Sequence, residues 1–178
     1  MYWILLIIGI IGIDQAAKIY IFTAQDKFQN LPIIKDFFYI TYCENRGAAF
    51  SILQNQRWVF VAITIIAIII MIWIMTKQKH ILLRLSLSLV IAGAFGNMID
   101  RAIRGFVVDF LHFFPFGYDF AIFNVADMSI NIGVAILLIY LIFIYKDPGK
   151  GKTSIRVDKQ ASTRNDGVDT SVPDKESE

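Results

Sequence analysis

Apolar residues come in four runs, over about residues 3–22, 58–76, 81–99 and 128–145. Each is close to the ~20 residues needed to cross the hydrocarbon core of a bilayer. Such runs predict transmembrane helices, because a chain in lipid must satisfy its backbone N–H and C=O groups within the segment itself. The first run has no Lys or Arg before it and outlasts the apolar core of a cleaved leader, so it reads as a retained span. Between the first two runs, Phe37-Phe38-Tyr39-Ile40-Thr41-Tyr42-Cys43 is aromatic and β-branched, as strands are, and a small antiparallel sheet is expected there. Glu44-Asn45-Arg46-Gly47-Ala48-Ala49-Phe50 then combines a turn-like start with small residues that admit close backbone approach, and reads as a substrate-lining segment. From about residue 149 the chain becomes rich in Lys, Asp, Ser, Thr and Gly with no apolar period, the pattern of a disordered tail. The expected fold is an all-α membrane protein with four transmembrane helices and a small extracytoplasmic antiparallel β-domain in the first outer loop. Its membrane domain covers 1–148, with outer loops 23–57 and 100–127, and the tail covers 149–178.

Composition supports this reading, with 56% hydrophobic and 18% charged residues, far from the balance of a soluble domain. A net charge of +2 points to no nucleic-acid partner. The basic residues set a topology instead. Lys77, Lys79 and Arg84 join spans two and three, and Lys146, Lys150, Lys152, Arg156 and Lys159 follow span four. By the positive-inside rule both segments, and both termini, are cytoplasmic, leaving the two long loops outside. Cys43 is the single cysteine, so no intramolecular disulfide forms, and His80 and His112 fit no zinc-hydrolase spacing.

Three polar clusters interrupt the apolar pattern: Gly96-Asn97-Met98-Ile99-Asp100-Arg101, Val107-Val108-Asp109-Phe110 and Phe123-Asn124-Val125-Ala126-Asp127. With the topology above, these and the Asp14/Lys18 pair of span one all reach the extracytoplasmic face, where charge beside apolar spans is usually functional. Asp14 and Lys18 are four apart, acid first, as a structural ion pair requires. Asn97 and Arg101 share a helical face with Asp100 turned to its side, and Arg104 reads as a snorkelling interfacial anchor. Ala92, Gly93, Ala94 and Gly96 permit close helix packing. Asp127 fits an ordinary N-cap of span four as well as a chemical role. Asp109 is flanked by Val107-Val108 and Phe110-Leu111, where a carboxylate without a partner is costly, and Asn124 can donate an amide N–H to such a group.

Two acids at one face suit a pair in which one carboxyl keeps a proton and the other acts as base toward water, as in aspartic proteases. The start of a helix favours charged Asp127 and an apolar setting favours neutral Asp109, which makes Asp127 the base and Asp109 the acid. Asp109 and His112 as metal ligands lack a third partner at a convincing spacing, and Ser129 with His112 lacks a nucleophile elbow. The other function class is a non-enzymatic small transporter or proton/ion relay. The charge-free second and fourth spans, and a third span with Arg84 alone at its inner end, argue against a complete path.

Asn45-Arg46-Gly47-Ala48-Ala49-Phe50 and the three clusters resemble, in order and spacing, the signature blocks of the bacterial lipoprotein signal peptidase family, signal peptidase II. Asp14-Gln15 with Lys18 is similar too, and the resemblance runs from about residue 11 to 145. It implies an aspartic endopeptidase of the bacterial inner membrane, working without metal or cofactor. Such an enzyme removes the signal peptide from diacylglyceryl-modified prolipoproteins by cutting before the lipidated cysteine. It also implies Asp109 and Asp127 as the catalytic pair, with Asn45, Asn97, Arg101 and Asn124 lining the site and binding substrate. Asp14, Lys18, Gly96 and Asp100 are implied as structural support. The partners implied are lipid-modified prolipoproteins, membrane lipid and globomycin-type peptide inhibitors, met by a monomer. Arg46 stands where the family commonly has a small polar residue.

Overall fold

The computed structural model describes residues 2–47 and 56–145. The Ala48-Ala49-Phe50 block and the tail expected from residue 149 lie outside the described residues. Four helices have the length and apolarity of membrane spans: α1 (Tyr2–Thr23), α2 (Arg57–Lys77), α3 (Ile81–Ile103) and α4 (Val125–Ile139), the last continued by a π-helical turn over Tyr140–Ile144. The described elements form one compact unit that ends at Phe143. α3 is the centre of the bundle, packing against each of the other three helices. Its face toward them is buried, whereas Ile4 and Ile8 of α1 and Ile66, Ile69 and Trp73 of α2 point outward, as a lipid-facing surface requires.

Both helices next to the polar clusters run beyond the apolar runs that predict them. α3 continues to Ile103 and α4 starts at Val125. The physical reason is that Asn97, Asp100 and Asp127 find polar partners inside the bundle, so charge does not force the chain out of the helix there. α3 then ends at Gly105, whose φ of +86° is a left-handed conformation that suits a glycine just past a helix end. The Arg104 and Gly105 N–H groups both return to the Asp100 carbonyl, closing the last turn.

The sheet is larger than the first outer loop alone predicts. β1 (Leu31–Ile34) and β2 (Phe38–Asn45) form the expected hairpin, and β3 (Val107–Phe113) from the second outer loop joins β2 in the antiparallel order β1-β2-β3. The segment holding Asp109 is therefore a strand. Asp109 lies opposite Cys43, beside an irregularity in register between Ile40 and Cys43. Val108 and Phe110, pointing the other way, pack with Ile21 and Phe28 and seat the sheet on the end of α1. Beyond this cluster, Ile68, Leu83, Leu87, Ile91 and Tyr140 form the core that joins α2, α3 and the end of α4.

Candidate active site

α1, α3, β3 and α4 each contribute to one buried polar network. Two glycines of α3 let its neighbours come close. A Cβ on Gly93 would lie 2.2 Å from the Ala126 carbonyl oxygen of α4, and one on Gly96 would lie 2.7 Å from Asp14 Oδ2 of α1. At that separation Lys18 Nζ reaches Asp14 Oδ2 at 2.9 Å and Asp100 Oδ2 at 3.3 Å, so the expected Asp14/Lys18 pair is present and widened by Asp100. All three groups are buried, and charges in such a place persist only with partners of this kind. The two acids also fasten the elements that follow. Asp14 Oδ1 accepts the Ala126 N–H at 2.8 Å, and Asp100 Oδ2 accepts the Val108 N–H at 3.1 Å.

Two residues behave differently from their sequence reading. Arg104 does not snorkel freely; it pairs with Asp100 and lies over the Phe22 ring, because the Asp100 carboxylate one turn back offers a partner inside the protein. Gln15 carries more than its place beside Asp14 suggests, since its Nε2 contacts the Gly96 carbonyl at 3.1 Å and both Asp14 and Asp100. The available signal was a second polar residue next to an intramembrane acid.

The network continues through two asparagines to Asp109 and Asp127. Lys18 donates to Asn97 Oδ1 at 2.8 Å, and Asn97 Nδ2 donates to Asp127 Oδ1 at 2.8 Å. Asn124 Nδ2 donates to Asp109 Oδ1 at 2.6 Å, and Asn45 Nδ2 donates to Asp109 Oδ2 at 2.9 Å. Asn124 Oδ1 accepts the Asp127 N–H at 2.9 Å, while the Asn124 N–H returns to Asp127 Oδ2 at 3.2 Å. This reciprocal pair is a capping box, so the N-cap of α4 is Asn124 and Asp127 is its third helical residue. Its carboxylate is thereby held at the helix start beside Asp109.

All four oxygens of the two acids accept N–H groups, and among the described residues no lysine or arginine forms an ion pair with either. Arg101 stands over the Phe60 ring at 5.1 Å and acts on both acids only through space. The Asp109 carboxyl is pushed up to about 7 by burial first and by the negative charge of Asp127 second, against the pull of Asn45, Asn124 and Lys18. A carboxyl that keeps its proton near neutral pH beside another acid can donate a proton while its neighbour accepts one.

His112 and Ser129 are taken up elsewhere. His112 lies three residues along β3 from Asp109, on the other face of the strand, with its ring nitrogens 2.7 Å from Asp119 and 3.2 Å from Thr41. The structure thus separates the two residues of the metal alternative. Ser129 donates to the Leu89 carbonyl at 2.8 Å. Ser86 and Ser88 likewise bond backbone carbonyls of α3, so these buried hydroxyls offer no titratable continuation of the network along the bundle. Arg46 turns away from the acids, paired with Glu44 at 2.6 Å and lying over Phe106.

A family model described as signal peptidase (SPase) II matches residues 6–143. The chain belongs to the signal peptidase II family. It is 41% identical over 149 residues to the lipoprotein signal peptidase of Clostridioides difficile (strain 630), covering 80% of this chain and 96% of that protein. It is 46% identical over 141 residues to the lipoprotein signal peptidase of Brevibacillus brevis (strain 47), covering 78% of this chain and 93% of that protein. Two solved structures, both described as bacterial membrane enzymes, are similar in fold. One has a TM-score of 0.74 at 38% identity, covering 81% of this chain and 94% of the other. The second has a TM-score of 0.71 at 33% identity, covering 95% and 94%. Signal peptidase II is an aspartic peptidase family, and the matched residues contain every member of the network described above.

Proposed function

We propose that this protein removes the signal peptide from lipid-modified prolipoproteins, cutting before the diacylglyceryl cysteine, with Asp109 and Asp127 as its catalytic pair. The observation that carries the assignment of the pair is its environment: two neighbouring acids that, among the described residues, accept amide N–H groups and pair with no cation, in a setting whose burial pushes the Asp109 carboxyl up to about 7. Asp127 takes a proton from a water molecule, whose oxygen attacks the scissile carbonyl. Asp109 gives its proton to the carbonyl oxygen. Collapse of the tetrahedral intermediate breaks the C–N bond, with the proton on Asp127 passing to the leaving amine and Asp109 regaining its own. Asn45, Asn97 and Asn124 hold the two carboxylates, and Arg101 is placed to meet substrate at the edge of the pair.

The orientation follows from charge. Lys77, Lys79, Arg84 and the basic residues after span four keep both termini cytoplasmic, so the sheet and the pair face the outside of the inner membrane. A lipid-anchored substrate then arrives laterally and presents its cleavage bond near the outer headgroups. The enzyme works as a monomer, is inhibited by globomycin-type peptides, and has its membrane domain in residues 1–148 with 149–178 as an appended tail.

The test is cleavage of a lipid-modified prolipoprotein by the purified protein in bilayers. Wild type releases the signal peptide, and release persists under metal chelation. Asp109→Asn and Asp127→Asn each abolish it while the protein stays folded. Cleavage that survives either substitution removes that residue from the pair.

A further inference from the structure

Lys18 is a full positive charge with none of its surface exposed, inside a membrane-spanning helix. Asp14 and Asp100 account for its neutralisation, but not for its third contact, the 2.8 Å hydrogen bond to Asn97 Oδ1. An ammonium carries donors only, so the edge of the Asn97 amide that faces it must be the oxygen. The amide nitrogen is then turned to Asp127, to which it donates at 2.8 Å. The same logic holds one step on. The Asp127 backbone N–H takes Asn124 Oδ1 at 2.9 Å, which turns Asn124 Nδ2 to Asp109 at 2.6 Å and to Asn97 Oδ1 at 3.2 Å. Two donor-only groups thus set the direction of two amides, and each acid meets N–H edges from them and no C=O edge.

We propose that Lys18 is a positioning residue of the reaction: it fixes the direction of the Asn97 amide so that Asp127 is held as a hydrogen-bond acceptor toward water. The inference rests on the carboxylate pair proposed above. Without the ammonium, Asn97 Oδ1 keeps only the longer 3.2 Å bond from Asn124 Nδ2, and the amide turns over more readily to present Oδ1 to Asp127, an arrangement that only a protonated carboxyl satisfies. The base is then lost although both acids remain in place. Asn97 bonds Lys18 of α1, Asp127 of α4 and Arg101 of α3, and behind these stand Asp14 and Asp100 paired with Lys18, Arg104 paired with Asp100, and Asp109 of β3 acting on Arg101. A clean test must leave this balance of charge intact.

The double variant Asp14→Asn/Lys18→Met removes one charge of each sign together with the donor to Asn97. It is compared with wild type in two backgrounds, unchanged and Asn97→Leu. In the unchanged background kcat falls about tenfold or more, the scale of one hydrogen bond to a charged group, with KM little altered. The acidic limb of the kcat profile moves to higher pH, because a carboxylate that loses an N–H donor holds its proton more firmly. In the Asn97→Leu background the same double variant adds no further loss and no further shift, since the residue through which Lys18 acts is gone. Equal losses in both backgrounds, or wild-type kcat and pH profile in the unchanged one, overturn the proposal.

The unmodified protein supplies a second measurement that survives any misfolding of the double variant. With asparagine labelled by 15N, the Asn97 side-chain N–H signals must move as the acid pair titrates and must move again in Asp127→Asn. Signals indifferent to both overturn the proposal. Asp127→Asn also separates the two levels. If it still cleaves, the pair itself fails; if it is inactive while the Lys18 variant behaves as wild type, only the role of Lys18 fails.

Discussion

One polar network holds two pairs of buried acids, and they are neutralised by different means. Asp14 and Asp100 share Lys18 and Arg104, two anions with two cations, and each also accepts a backbone N–H from a neighbouring element. Asp109 and Asp127 receive amide and backbone N–H groups but form no ion pair among the described residues. A carboxylate matched by a cation acts as a fixed joint. One given only neutral donors, next to a second acid, is left with a proton to share. The difference between support and chemistry therefore lies in what faces the carboxylate and not in the residue type, which is aspartate in all four cases.

The comparison breaks if the two pairs respond alike to neutralisation. The largest contrast is in turnover: Asp109→Asn and Asp127→Asn each lower kcat by at least about a hundredfold in a prolipoprotein cleavage assay, while thermal unfolding at about pH 4 stays near wild type. Asp100→Ala does the reverse. It leaves Lys18 and Arg104 short of an anion and the Val108 N–H without its acceptor, costing roughly 3–5 kcal/mol, and reads as a marked fall in Tm. Next comes Gly93→Ala, whose added methyl meets the Ala126 carbonyl, opens the α3–α4 contact and costs about 1–3 kcal/mol. It loosens the hold of Asn97 on Asp127, so its loss of Tm is accompanied by a partial loss of activity.

The last contrast is in the pH dependence of stability. The Asp109 carboxyl stands at about 7 in the fold against an ordinary value of 3.8. Its contribution to stability is fully present below about pH 4 and is lost as pH rises through about 7, where the buried group must ionise. Unfolding curves of wild type and Asp109→Asn, recorded across that window, separate as the pH rises, with wild type losing the more.

The spans were legible because apolar runs of their length have few other uses. Their ends were not. Asn97, Asp100 and Arg101 look like the polar border of α3 until Lys18 and Asp127, distant in sequence, are seen to satisfy Asn97 and Asp100 within the bundle. β3 was hidden for a related reason. Its partner β2 lies more than sixty residues earlier, as Asn45 and Asp109 illustrate, and non-local pairing leaves no mark within the strand itself. The capping box, by contrast, was readable. Asn124 with an acid three residues on is its sequence form, and it places the N-cap on Asn124 where position alone suggested Asp127. The motif residues Asn45, Asn97, Asn124, Asp109 and Asp127 converge in the structure, but the direction of their amides needed coordinates, since it is set by Lys18 and by a backbone N–H.

The division of labour between the two acids turns on the resting position of their shared proton. Infrared spectra of the membrane-embedded protein at about pH 6, between the two Asp109 values that bound the window, report protonated carboxyl groups by their C=O stretch. One band from the pair is expected in wild type, kept in Asp127→Asn and lost in Asp109→Asn. A band that is lost in Asp127→Asn and kept in Asp109→Asn would contradict this, placing the proton on the residue assigned here as the base.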